Sequence, residues 1–167
     1  MKSVAGSTVI IGLGNPVLTD DAVGLRIAGE LRRRLRGRGG IAIVELYSGG
    51  LWLMEAMNGH DRAVVIDSIA RGGAAGTVYR LGLGDLPRTR TAHSSHDASL
   101  PDALELGRAA GLRLPGEVRF WAVEAADVVS FGERLTPEVE RAVPQVVESV
   151  LRDLDECGPV QSGRAGQ

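Results

Sequence analysis

Two adjacent carboxylates, Asp20 and Asp21, stand between a predicted strand and a predicted helix. The apolar run Thr8–Ile11 before them is typical of a buried strand, and a helical pattern begins after them at Val23. In an open α/β sheet, a crossing from strand to helix lies at the carboxyl end of the strand, where ligands bind. The glycine-rich turn carries negative charge where a phosphate would need N–H groups and a cation. We therefore expect this turn to hold a metal ion or a proton rather than a nucleotide.

A third carboxylate, Asp67, ends the apolar run Arg62–Asp67, which is typical of a central strand buried on both faces. If this strand lies beside the first one, about 4.8 Å away, Asp21 and Asp67 converge on one edge of the sheet. His96 lies in a polar stretch before a predicted helix, from which it can reach the same edge. Two carboxylates and one imidazole form a site for a borderline divalent metal ion with open coordination positions.

Each of these residues also has a purely structural explanation. Asp20 or Asp21 would serve equally well as the cap of the first helix, and Asp67 as the cap of the turn after its strand. A single histidine in a polar loop is more often an ordinary surface residue. The sequence lacks a nucleophile-elbow pattern and its one cysteine, Cys157, lies near the end of the chain, so covalent catalysis is disfavoured.

The surrounding pattern predicts one α/β domain over residues 1–154 and a polar tail over residues 155–167. The fold is a three-layer α/β/α arrangement around a twisted, mostly parallel five-stranded sheet. Strands are predicted at residues 8–11, 41–46, 62–67, 77–81 and 117–123, and helices at residues 23–35, 51–58, 100–110 and from 136 onwards. The short glycine-rich link between the third and fourth strands predicts that these two pair antiparallel at an edge. Pro144 predicts a kink or a break in the last helix.

Composition excludes several classes of protein. The 167 residues carry a formal charge of −2, which argues against a nucleic-acid-binding protein. A single cysteine excludes an internal disulfide and a cysteine-rich metal site, and favours a reducing, cytoplasmic setting. No apolar run approaches the ~20 residues of a membrane span, and the N-terminal residues lack a signal-peptide pattern. We expect a cytoplasmic, soluble monomer.

Four segments of the sequence together resemble a known family. They are Gly12–Gly24, Val65–Ile69, Ser94–Asp102 and Phe131–Val139. In order and spacing they are similar to the nickel–iron hydrogenase maturation endopeptidases, and the resemblance covers about residues 7–154. Each segment alone is a weak signal, whereas the four in order are a specific one.

The resemblance implies a function and a set of site residues. Members of this family remove a short C-terminal extension from the hydrogenase large-subunit precursor once its active site has received nickel. Their metal ligands match Asp21, Asp67 and His96. The nickel belongs to the substrate, and another divalent ion can occupy the site in the isolated protease. The implied activity is that of an aspartate- and metal-dependent endopeptidase, in which Asp21, Asp67 and Asp20 are the catalytic candidates and Asp20 or Asp21 accepts the proton.

One segment departs from the family pattern. Where the family commonly reads Asp-Gly-Gly-Thr after the second strand, this chain reads Ser48-Gly49-Gly50-Leu51. The missing acid leaves open a second function, a metal-sensing chaperone that holds the same precursor without cutting it. A third reading is peptidyl-tRNA hydrolase, whose chain also opens with Gly-Leu-Gly-Asn-Pro. The acidic turn and the slightly negative net charge disfavour that reading.

Overall fold

The computed structural model describes residues 6–86 and 100–156 of the chain. The strands are β1 (Thr8–Leu13), β2 (Ile41–Leu46), β3 (Arg62–Ile69), β4 (Val78–Gly82) and β5 (Glu117–Glu124). The α-helices are α1 (Val23–Arg34), α2 (Leu51–Met57), α3 (Leu100–Ala109) and α4 (Pro137–Glu156). Short 3-10 turns cover Asp20–Ala22 and Leu83–Asp85. The predicted strands and helices are all present, with ends that differ by a few residues.

The five strands form one sheet in the order β2-β1-β3-β5-β4. The strands β2, β1, β3 and β5 run parallel to one another, and β4 runs antiparallel to β5. Helices α1 and α4 pack on one face, against alternate strand residues such as Ile10 and Ile66. Helices α2 and α3 cover the other face, against Val9 and Val65. Because both faces are buried, the central strands are continuously apolar, and the predicted three-layer fold is confirmed.

The antiparallel edge strand is confirmed, but the expected pairing of the third and fourth strands is wrong: β4 pairs with β5. The link that leaves β3 passes over the carboxyl end of β5 before the chain turns back into β4. The backbone N–H groups of Arg71, Gly72 and Gly73 donate to Oε1 of Glu124 at that end, at 2.8, 2.9 and 3.1 Å. The short link is therefore held over β5, and β4 pairs on its far side.

Helix α4 begins at Pro137, as the sequence predicts, and runs without a break through Pro144 to Glu156. Proline inside a helix removes one backbone hydrogen bond and costs about 3 kcal/mol. Burial of a valine side chain contributes about 1.5–3 kcal/mol. The buried residues of α4 are Val139, Ala142, Val143, Val146, Val147 and Val150, and Pro144 lies on the exposed side. This buried stripe outweighs the lost hydrogen bond.

Within the described ranges, every helix is too short or too polar to cross a lipid bilayer.

Candidate functional site

Two of the predicted site carboxylates lie at the carboxyl ends of β1 and β3. Asp21 lies in the turn after β1 and Asp67 near the end of β3, and they are only 8% and 5% exposed. Ser68 contacts both of them. Its hydroxyl donates to Oδ1 of Asp21 at 2.8 Å, and its backbone N–H donates to Oδ1 of Asp67 at 2.8 Å. Both acids therefore lie at the same end of the sheet, each in contact with Ser68, and their convergence on a shared ion stays a prediction.

Glycines allow this close approach of the turn to β3. A Cβ at Gly24, in the first turn of α1, would collide with the backbone oxygens of Leu13 and Ile66. A Cβ at Gly14 would collide with the carbonyl oxygen of Asp21, which accepts a hydrogen bond from the backbone N–H of Asn15 at 3.2 Å. The glycines of the first motif thus serve backbone packing, which brings the acidic turn against the end of β3.

Asp20 is fully buried and has a different set of contacts from its neighbour. Its Oδ1 accepts the backbone N–H of Thr136 at 2.7 Å. Its Oδ2 accepts the backbone N–H groups of Ala126 and Asp127 and the hydroxyl of Thr136, each at 2.9 Å. Neither the 3-10 turn nor α1 has a side-chain cap hydrogen bond, so capping does not explain these acids. Four accepted hydrogen bonds favour a structural role for Asp20, and its role as a proton acceptor stays a prediction.

His96, the third predicted metal ligand, lies outside the described residues, as does Cys157. Helix α3, which follows His96 in the sequence, begins at Leu100 on the sheet face that carries Val65. Asp67 follows Val65 by two residues, so strand alternation places it on the same face. Among the described residues, no group of three histidine, cysteine or acidic side chains could hold a metal ion. The three-ligand set therefore stays a prediction.

Sequence reasoning missed two residues at this end of the sheet. Ser68 lies in the motif Val65–Ile69, but nothing in the sequence indicates that this serine contacts both acids. Glu124 is 1% exposed and binds three consecutive backbone N–H groups, an arrangement typical of anion-binding loops. Partial burial of Tyr79, together with the nearby Glu124 carboxylate, raises the pKa of the tyrosine hydroxyl. An acid ending an otherwise apolar strand was the available signal for Glu124, as it was for Asp67.

A cleft of about 570 Å³ lies beside the acidic turn. Thr19 and Ala22 of the turn region line it, together with Arg26 of α1 and Arg134 of the loop before α4. Neither Asp21 nor Asp67 lines this cleft. The cleft is therefore a surface feature beside the turn, separate from these two carboxylates.

Comparisons with known proteins show the family of this chain. The family model HycI, described as hydrogenase maturation protease, matches residues 25–153. The hydrogenase 2 maturation protease of Escherichia coli is 30% identical over 152 residues, which cover 90% of this chain and 92% of that protein. The hydrogenase expression/formation protein HoxM of Azotobacter vinelandii is 27% identical over 97% of this chain and 79% of its own length.

Solved structures show the same fold. The hydrogenase maturating endopeptidase HybD from E. coli superimposes with a TM-score of 0.79 at 28% identity, covering 91% of this chain and 94% of that one. The HybD protease from Thermococcus kodakarensis gives a TM-score of 0.69 at 25% identity, covering 87% of this chain and 97% of that one. With its sheet order, its acidic strand ends and a family match over most of its length, the chain belongs to the hydrogenase maturation protease family.

Proposed function

We propose that this protein is an endopeptidase that removes the C-terminal extension of a nickel–iron hydrogenase large-subunit precursor after nickel insertion. The observation that carries the proposal is the position of Asp21 and Asp67 at one end of the sheet, each hydrogen-bonded to Ser68, in a chain of this protease family. Relatives named as hydrogenase maturation proteases support the substrate class.

In this proposal the metal arrives with the substrate. Asp21 and Asp67 supply oxygen ligands and His96 supplies a nitrogen ligand, and nickel accepts both kinds of ligand. A metal ion beside the scissile amide polarises its carbonyl or lowers the pKa of a bound water. Water adds to the carbonyl carbon while its proton passes to a carboxylate. The resulting carboxylic acid gives this proton to the amide nitrogen, which leaves as an amine when the C–N bond breaks. Because Asp20 already accepts four hydrogen bonds, Asp21 is the better proton acceptor.

The proposal is tested by incubating nickel-loaded and nickel-free precursor with the wild type and with Asp21→Asn, Asp67→Asn and His96→Ala. The wild type should shorten only the loaded precursor, and each variant should cleave it at least about 100-fold more slowly. Mass spectrometry of the precursor's C-terminus gives the readout. Asp155→Asn, an exposed acid in the last turn of α4, is the matched control.

Two results would count against this assignment. Unimpaired cleavage by all three site variants would remove the carboxylates and the histidine from the mechanism. Tight binding of the loaded precursor by the wild type, without any change in its mass, would favour the non-cleaving chaperone. The exposed Ser48, which replaces the usual acid, is the feature that raises this second possibility.

We further propose that the reaction takes place in the cytoplasm and that the protein acts as a monomer. The single cysteine in the sequence supports a reducing compartment. Size-exclusion chromatography with light scattering should give a mass near 17.6 kDa.

A further inference from the structure

Exposed apolar side chains concentrate at the sheet edge that carries the two site acids. In the described part of the chain, the large hydrophobic residues that are exposed are Val17, Tyr47, Leu51, Trp52, Leu106, Val129 and Phe131. All of them except Leu106 follow the carboxyl ends of β1, β2 or β5. Apolar surface gathered in one region marks an interaction site more often than the same residues scattered singly.

Val17 and Phe131 are held on two segments that pair with each other. Leu18 and Phe131 form an antiparallel bridge, and the backbone N–H of Gly132 donates to the carbonyl of Val17 at 3.1 Å. The backbone N–H and the hydroxyl of Thr19 both donate to the carbonyl of Ser130, at 3.0 and 2.8 Å. Phe131 is nevertheless 85% exposed, so its aromatic ring faces solvent from an ordered backbone.

Val129, which is 81% exposed, lies on a similarly ordered turn. Oδ1 of Asp127 accepts the backbone N–H groups of Val129 and Ser130 at 2.9 and 2.8 Å. These hydrogen bonds, and chiefly the one donated by Ser130, hold the pKa of Asp127 below its usual value. The N–H of Asp127 in turn donates to the buried Asp20. An ordered turn lowers the conformational entropy that a partner must overcome on binding.

We propose that Val17, Val129 and Phe131 form an apolar ridge that docks the folded body of the hydrogenase large-subunit precursor; this rests on the function proposed above. A protein that brings its chain to Asp21 and Asp67 has to lie over this edge of the sheet. The ridge lies beside the turn that carries Asp21. Val17 precedes Asp21 by four residues, and Asp20 holds this turn against the loop after β5 that carries Val129 and Phe131.

The charges beside the ridge favour an apolar partner surface. The adjacent cleft is lined by two arginines, Arg26 and Arg134, and two glutamates, Glu133 and Glu140. Arg26 and Glu140 form an ion pair at 3.1 Å. Because these charges balance, they select neither an acidic nor a basic partner. The matching patch on the precursor is therefore apolar, with Phe131 as its main contact, since aromatic residues dominate binding energy at interfaces.

The test compares Phe131→Ser with Leu106→Ser, which removes another exposed apolar side chain, 62% exposed against 85% for Phe131, from α3. The substrate is the nickel-loaded large-subunit precursor from the same organism. Phe131→Ser should raise KM about tenfold or more with kcat within twofold of the wild type, and Phe131→Leu should restore most of the loss. Leu106→Ser should leave both constants unchanged. Thermal unfolding confirms that every variant is folded.

A direct binding measurement separates this inference from the proposed activity. Precursor is titrated against the wild type and Phe131→Ser, with cleavage followed in parallel. If the wild type binds without cutting and Phe131→Ser binds at least tenfold more weakly, the ridge stands and the protease function falls. If the wild type cuts the precursor and the KM of Phe131→Ser equals that of Leu106→Ser, the docking role of the ridge is wrong and the protease function is supported. Absence of binding by the wild type overturns both.

Discussion

Ser68 holds the two site acids through two different groups, and only one of them depends on its side chain. The backbone N–H that reaches Asp67 is present in every residue except proline, whereas the hydroxyl that reaches Asp21 is specific to serine or threonine. Asp21 is 8% exposed, so water replaces a lost donor poorly. The side chain of Ser68 therefore orients Asp21 and leaves Asp67 largely unaffected.

We predict that Ser68→Ala slows cleavage of the nickel-loaded precursor by about 10-fold to 100-fold. A hydrogen bond to a charged group contributes about 1.5–3 kcal/mol, which corresponds to that range. Ser68→Thr keeps the hydroxyl and should retain most of the activity. Single-turnover cleavage rates measure the difference. Equal rates for Ser68→Ala and the wild type would show that Asp21 is positioned without this hydroxyl.

At the scale of elements, buried acids at strand ends connect loops that are distant in sequence. Asp20 joins the turn after β1 to the loop between β5 and α4, and Glu124 joins the link after β3 to the end of β5. Asp67 occupies a similar position at the end of β3, but its Oδ1 accepts the backbone N–H of the adjacent Ser68, whose hydroxyl donates to Asp21. Three acids that look alike in the sequence thus have two kinds of role.

We predict that Asp20→Asn lowers the free energy of unfolding by about 3 kcal/mol, because an amide nitrogen would face N–H donors in a buried position. For a domain of this size the melting temperature should fall by about 10 °C. Circular dichroism gives the unfolding curve, and Asp155→Asn is the matched control. If Asp20 acts only as a proton acceptor, the variant would lose cleavage activity while its melting temperature stays at the wild-type value.

Pairing of elements was the least predictable feature at this scale. The composition of residues 70–77 favours a tight link, and tight links usually join neighbouring strands. The structure instead places β5 between β3 and β4, because Glu124 binds the link as it passes over the end of β5. That carboxylate lies just over fifty residues further along the chain, beyond the reach of any local pattern.

For the whole molecule, two half-buried acids at opposite ends of the strands have pKa values below the usual one, which predicts a contribution to acid sensitivity. A backbone hydrogen bond from Ser7 and the guanidinium of Arg113 hold the pKa of Asp61 below 3.8. Backbone hydrogen bonds hold the pKa of Asp127 below the same value. A group whose pKa is lower in the folded state stabilises the fold above its unfolded pKa, and this contribution disappears as pH falls through the folded pKa.

We therefore predict that the folded state loses stability as pH falls below about 4. Asp127→Asn keeps an oxygen acceptor for the turn but no longer titrates, so it should lose less stability between pH 6 and pH 3 than the wild type. Urea unfolding at the two pH values, with Asp155→Asn as control, measures the difference. Equal losses in all three proteins would show that Asp127 makes no contribution to acid sensitivity.

The sequence by itself determined the elements, the layered fold and the family. Strand and helix identity follow from apolar periodicity, which is local, and the glycines and acids of the motifs can be read in order along the chain. Only the tertiary structure shows which hydrogen bonds each acid accepts. Asp20 bonds to Thr136 across 116 positions and Ser68 to Asp21 across 47. Such contacts depend on how packed layers place distant backbones, so the exposed ridge, the β4–β5 pairing and the role of Ser68 emerge only in three dimensions.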